Sequence, residues 1–318
     1  MDLTEIIKRS NRNYWMGWAM IMIILCHIQY TCYDGGYIMK GMRLLFKKGE
    51  FGVDIFLFLS VIGLSYSFER NSIYDFYIHR IKRLFPMYLF FLALSSVFFK
   101  SEEDIVIEWL FQIIGASNFV GNPFNEWYIP ALILIYALFP MLYCGITKIC
   151  KMHTLIGVAL IVFTIYSYII TRDFMTLYFA RRLYVIVLGI VIYYIHQKEH
   201  KSLGVIVVLS LVAMIQLFVP SDYNMFLFVP LILVILDTSL KYLPMHGFLS
   251  WIGKHSLEIY LGQTIGIIFF CNQSSLRLLY KLPIGIMITV VLATIFCMGH
   301  LFFIECVNKL NIRRMLHR

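Results

Sequence analysis

Apolar residues recur along this chain in about ten runs of 16 to 24 residues, and that spacing limits the fold more than any other feature. A helix needs roughly 20 residues to cross a ~30 Å hydrocarbon core. Inside lipid, only helices and closed barrels satisfy every backbone polar group. The expected fold is therefore all-α: a polytopic integral membrane helical bundle of about ten transmembrane helices. Composition points the same way, with 60% hydrophobic and 14% charged residues against about 25% charged in a soluble domain. Ten spans of this length use about two thirds of the chain, so residues 1–318 read as a single domain with no separate extramembrane unit.

The predicted spans are 14–31, 52–68, 84–99, 127–147, 153–170, 180–196, 203–219, 225–240, 249–270 and 283–306. With both termini in the cytoplasm, six basic clusters face inward, among them Lys8 to Arg12, Arg70 to Arg83 and Lys309 to Arg318. That agrees with the positive-inside rule. Two clusters disagree: Lys40 to Lys48 in the first outer loop, and Arg172, Arg181 and Arg182 at the outer side of spans five and six. Residues 104–119 are apolar but too short to span and are interrupted by Glu108, Gln112, Gly115 and Asn118, which predicts a re-entrant or interfacial helix. The net charge of +9 sits at span ends rather than along one soluble basic face, so it reads as topology signal plus an anionic ligand, not nucleic-acid binding.

The first apolar run lacks a small-residue cleavage site after it, so it is expected to stay as a span. No internal repeat of the inverted-transporter kind is visible. Most of the seven cysteines lie in or beside apolar runs and show no CxxC pattern, which favours packing roles over a disulfide scaffold. Cys32 and Cys271 both fall on the expected outer side, where pairing is open. The nine histidines are scattered and HExxH is absent, so no metal is expected; GxSxG, GxxxxGK[ST] and GxGxxG are missing too.

Ionisable groups at membrane depth are costly and mark sites by default. His27 closes the first span, either as a general base or as an interfacial residue bonded to a loop carbonyl. Asp54 opens the second span on the same side. It is read either as the partner that orients an imidazole or as an acid favourable with the helix dipole. Arg80 and Arg83 are three apart and share a helix face in the inner loop between spans two and three. Their planar forks suit a phosphate-bearing cofactor, and equally lipid headgroups. Asn125 and Glu126, beside Trp127, offer sugar-hydroxyl contacts next to an aromatic platform, or an ordinary interfacial belt. Ser256, Tyr260 and Gln263 form a polar stripe in the ninth span, for ligand contact or for helix–helix bonding.

Taken in order, His27, the run Phe51-Gly52-Val53-Asp54-Ile55-Phe56-Leu57-Phe58-Leu59-Ser60, Arg80-Ile81-Lys82-Arg83, Trp127 to Pro140, and Gly253-Lys254-His255-Ser256-Leu257-Glu258-Ile259-Tyr260-Leu261 resemble membrane-bound acyltransferase family 3. The resemblance covers essentially the whole chain as one membrane acyltransferase-3-like domain. It implies an O-acyltransferase of the cell (cytoplasmic) membrane that acylates polysaccharide or another cell-envelope glycan. The donor would be acetyl-CoA or another acyl-CoA held from the cytosol by Arg80 and Arg83. The acceptor, a glycan or lipid-linked saccharide, would meet His27 with Asp54 as catalytic partner. Arg181, Arg182, Asn125, Glu126, Trp127, Ser256, Tyr260 and Gln263 are candidates for substrate or oxyanion contacts. Arg182 to Gly189 loosely resembles a further family feature.

Four positions depart from the family pattern: Met16 stands where a basic residue is expected, unless Arg12 substitutes from one turn earlier. Val61 replaces a Gly, Leu132 a frequent Glu, and Gln263 a His. A transporter or flippase of a lipid-linked glycan is the rival reading, since it would use intramembrane charges as a substrate path without needing RxxR or one essential His.

Overall fold

The computed structural model describes residues 9–31, 46, 48–98, 105–116, 127–152, 182–199, 246–274, 276 and 278–316. Regular structure among these residues is helical, with no strand. Helix α1 (Arg9–Thr31) leads to a short 3₁₀ turn (Lys48–Glu50), then α2 (Phe51–Arg70), α3 (Ile73–Phe98), α4 (Ile105–Ile113), α5 (Tyr128–Met152) and α6 (Leu183–Glu199). Beyond these come α7 (His246–Lys254), α8 (Ser256–Gln263), a π-helical stretch (Thr264–Phe269), α9 (Phe270–Gln273) and α10 (Leu278–Leu316). Four helical segments are long and apolar enough to cross a membrane: Phe51–Arg70, Ile73–Phe98, Tyr128–Ile149 and Tyr280–Val307. The chain is a helical membrane protein. The expected spans at 153–170, 203–219 and 225–240 lie outside the described residues.

Two expectations change. The supposed inner loop around Arg80 is not a loop, because α3 is continuous from Ile73 through both arginines to Phe98. Residues 73–83 keep helical spacing and contain no Gly or Pro before Pro86, so nothing stops the helix at the water interface. The ninth span is not one rod: it breaks at His255 and runs into the π-helical stretch. Cys271 is buried, with Sγ near the Gly266 and Lys281 carbonyl oxygens, and Cys32 lies outside the described residues.

Helix α2 is central, with Phe51 to Leu59 buried on every face. It packs against α1 and α6, as expected for a helix that is apolar all round. Against α1 also lies α7, at a separation set by glycines. A Cβ on Gly17 would run into the Leu249 carbonyl, and one on Gly253 into the Asn13 carbonyl. Small residues are what let helix backbones touch in a membrane. Nearby, the Tyr14 ring stacks on His246 with centroids 5.0 Å apart.

Helix α4 is inside out. Val106, Leu110 and Ile114 are 55–61% exposed, whereas Gln112 is fully buried and Glu108 nearly so. Tyr88 of α3 donates to Gln112 Oε1 at 2.7 Å, and Trp109 Nε1 donates to Ser96 Oγ at 2.9 Å. Apolar residues outward and polar residues inward is the pattern of a helix immersed beside lipid.

Because α1 and α7 are in backbone contact, Gly253→Leu has no room. Overpacking of this kind costs about 1–3 kcal/mol or more, and the expected outcome is a lower melting temperature of the detergent-purified protein, while Gly247→Leu, a position with open space around it, leaves it unchanged.

Candidate functional site

Two polar centres lie along α2, separated by aromatic side chains. The first is a cavity of about 80 Å³. Its cationic wall combines Arg12 of α1 with Arg80 and Arg83 of α3, and its other walls include Ser60, Tyr136, Ser256 and Tyr260. The i,i+3 spacing on a continuous helix puts Arg80 and Arg83 on the same side. Arg80 is half-buried, over the rings of Phe76 and Tyr136 at 5.2 and 6.0 Å, whereas Arg83 is exposed. Gly63 makes room for the third cation, since a Cβ there would lie 2.6 Å from Arg12 Nη1. Three guanidiniums around one cavity are a polyanion-binding arrangement: each offers a planar donor fork that matches phosphate.

Met16 and Leu132 line the same cavity. Arg12, one turn before Met16, supplies positive charge to this wall, and Leu132 adds apolar lining.

The second centre lies at the start of α2. Arg182 Nε is 3.2 Å from Asp54 Oδ1, and both side chains are almost completely buried. The guanidinium carbon also sits 4.8 Å over the Trp127 ring. One ion pair thus joins α2 to the start of α6, capped by the residue before α5. Glu50 and Arg182 both act electrostatically on Cys26, the neighbour of His27. The half-buried imidazole of His27 meets the side-chain amide of Gln263.

The partner of Asp54 is therefore Arg182, not the imidazole suggested by the order of residues in sequence. A fully buried carboxylate takes the strongest cation within reach, and a guanidinium keeps its charge where an imidazole readily loses it. Arg182, an exception to the positive-inside rule, is accounted for by this pair.

Between the centres stand Phe56, Tyr128 and Tyr260. Tyr128 meets Tyr260 edge to face at 5.3 Å and tilts against Phe56 at 6.5 Å, and Trp127 packs on Tyr128 at 6.0 Å. Phe56, Tyr128 and Tyr260 line the cavity on one side, and through Trp127 the cluster adjoins the Arg182 centre on the other. The polar stripe of the ninth span is thereby divided: Ser256 and Tyr260 face the cavity, and Gln263 faces His27. Asn125, Glu126 and Arg181 lie outside the described residues.

Two further groups were not anticipated. Tyr143 and Tyr193 donate to the two carboxylate oxygens of Glu69 at 2.7 and 3.0 Å, tying α2, α5 and α6 together. His255, Glu258, Cys297 and His300 gather between α8 and α10.

The acyltransferase domain family matches residues 13–302, nearly the whole chain. The protein belongs to membrane-bound acyltransferase family 3 and is a membrane acyltransferase. No curated protein and no solved structure matches it.

Removing one partner of a buried ion pair leaves an uncompensated charge and typically costs about 3–5 kcal/mol. Arg182→Gln is therefore expected to unfold at markedly lower temperature than wild type. The double variant Arg182→Gln with Asp54→Asn should regain much of that loss, as a thermal-shift double-mutant cycle in detergent would measure.

Proposed function

We propose that this protein is an O-acyltransferase that moves an acyl group, acetyl in the first instance, from a cytosolic acyl-CoA to a hydroxyl of a cell-surface or lipid-linked glycan. The observation that carries the reading is the cavity in which Arg12, Arg80 and Arg83 converge against the rings of Phe56, Tyr128 and Tyr260, with Gln263, three residues beyond Tyr260, meeting His27. CoA is a polyanion with a long thin arm, and its phosphates suit the guanidinium end. Fifteen residues separate Arg12 from His27 on α1, which at 1.5 Å per residue is about 22 Å, a span on the scale of an extended pantetheine arm.

In this reading the arm lies along Ser60, Leu132 and Tyr136 and carries the thioester past Tyr128 and Tyr260. The acceptor hydroxyl sits at His27. The imidazole takes the hydroxyl proton as the oxygen attacks the acyl carbonyl, and a tetrahedral oxyanion forms. Its collapse breaks the carbon–sulfur bond, and the departing thiolate of CoA receives the proton from the imidazolium. Free CoA and the O-acylated sugar result. Gln263 holds the imidazole in orientation, and Tyr260 is placed between donor arm and base, where its hydroxyl serves as a donor to the oxyanion. The Asp54–Arg182 pair acts as the framework around His27. Acceptor sugars enter against Trp127, with Asn125 and Glu126 next to it in sequence.

The test is transfer of label from acetyl-CoA to membrane glycan by the purified protein in lipid. General-base assistance contributes about 10²- to 10⁴-fold, so His27→Ala is expected to lose transfer to that extent while still binding acyl-CoA. A hydrogen bond to a charged group is worth about 1.5–3 kcal/mol, so Arg83→Ala should raise the acyl-CoA KM by roughly tenfold or more. Unchanged transfer in His27→Ala would remove this residue from the mechanism. A wild type that binds no acyl-CoA at all would turn the reading towards a transporter of the glycan.

A further inference from the structure

A cluster outside the site described above has the makings of a metal centre. His255 stands at the break between α7 and α8, and Glu258 follows three residues later, so the two share a side of the chain. On α10, Cys297 and His300 repeat the spacing. The helices run antiparallel, with Gly262 against Ala293 and Gly266 against Gly285. That register sets Glu258 level with Cys297. The observed contacts run diagonally instead: Cys297 Sγ lies 3.3 Å from His255 Nδ1, and His300 Nδ1 lies 2.8 Å from Glu258 Oε1. Crossed pairs draw the head groups into one patch, and the donor atoms of His255, Glu258 and Cys297 all lie within 4.8 Å of one another.

We propose that His255, Glu258 and Cys297 bind one divalent cation of the zinc type, with His300 orienting the Glu258 carboxylate. One nitrogen, one oxygen and one sulfur donor form a set that a borderline cation takes. Zn–S near 2.3 Å and Zn–N near 2.0–2.1 Å imply a sulfur–nitrogen separation of about 3.6 Å around a tetrahedral ion, close to the 3.3 Å observed. A thiolate, a carboxylate and a neutral imidazole cancel the charge of a divalent ion, which suits a helix pair at membrane depth. A carboxylate ligand held by a second polar group is the usual outer-shell arrangement. A fourth donor, water or another protein group, completes the coordination.

The role is structural. Helix α8 is eight residues long, bounded by the break at His255 and by the π-helical stretch. Its Ser256 and Tyr260 form part of the cavity wall, so a cation bridging α8 to α10 fixes that wall from behind. The inference does not rest on the acyl-transfer reading.

Metal analysis of the full-length protein purified in detergent without chelator tests it directly. The expected result is about one zinc per chain. Exchange for cobalt(II) should give visible ligand-field bands and a near-ultraviolet thiolate-to-cobalt band. That band should vanish in Cys297→Ser and persist in Cys144→Ser, whose thiol is exposed and remote in sequence. His300→Ala should weaken cobalt binding by about 10- to 100-fold. Wild-type protein that carries no zinc as purified and shows no cobalt bands at stoichiometric metal would overturn the proposal and leave the four residues as two hydrogen-bonded pairs. So would a thiolate band that survives Cys297→Ser.

Discussion

The ion pair between Asp54 and Arg182 is the constraint on which the packing around the start of α2 depends. Neither charge can stay in an apolar interior by itself, so α2 and the start of α6 must meet, and they meet at one rotational setting. Trp127 covers the guanidinium with its ring face, which brings the start of α5 to the same point and adds a cation–π contact. The rest of α2 then falls into place: Phe56, two residues on from Asp54, turns to the aromatic cluster, and Ser60 and Gly63 turn to the cavity. A single buried pair thus fixes which side of α2 faces the aromatic cluster and which faces the cavity.

The two ends of the site solve opposite electrostatic problems. At the Asp54 end, positive and negative charge cancel and a half-buried imidazole stands beside a neutral amide. At the cavity three guanidiniums converge, the rings of Phe76 and Tyr136 lie against Arg80, and the described lining holds no carboxylate. An aromatic face stabilises a cation without neutralising it, so Arg80 keeps its positive charge within the cavity. The apolar Met16 and Leu132 sharpen that division by removing polar alternatives from the wall.

Much of this is legible in the sequence because it is local. Apolar runs locate α2, α3, α5 and α10, and the three-residue spacing of Arg80 and Arg83 alone puts them on one side of a helix. The stripe of Ser256, Tyr260 and Gln263 is visible as a periodicity, and its members do adjoin the cavity and His27. What escapes is non-local. Asp54 and Arg182 are 128 positions apart, and nothing in either segment names the other; nearness to His27 in topology makes the imidazole look the natural partner. The cluster at His255 needs two segments separated by 42 residues, each carrying only two polar donors, so neither contains a metal motif by itself. The break at His255 falls in the polar run Lys254-His255-Ser256, which a sequence reading places inside one span because apolar residues flank it on both sides.

The π-helical stretch at Thr264–Phe269 has a consequence for how the ninth span can be edited. An α-helix advances about 100° per residue, and a π-helical turn holds one residue more than an α-turn. Gln263 and Cys271 are thus set out of phase relative to an uninterrupted helix, so that Gln263 can point to His27 while Cys271 stays in the packed interface with Lys281. Shortening this stretch by one residue would regularise the hydrogen bonding yet rotate everything beyond it by about 100°. At this point the bundle tolerates substitution more readily than a change of length, and the irregular turn acts as a phase adjuster between two faces that no straight helix could serve together.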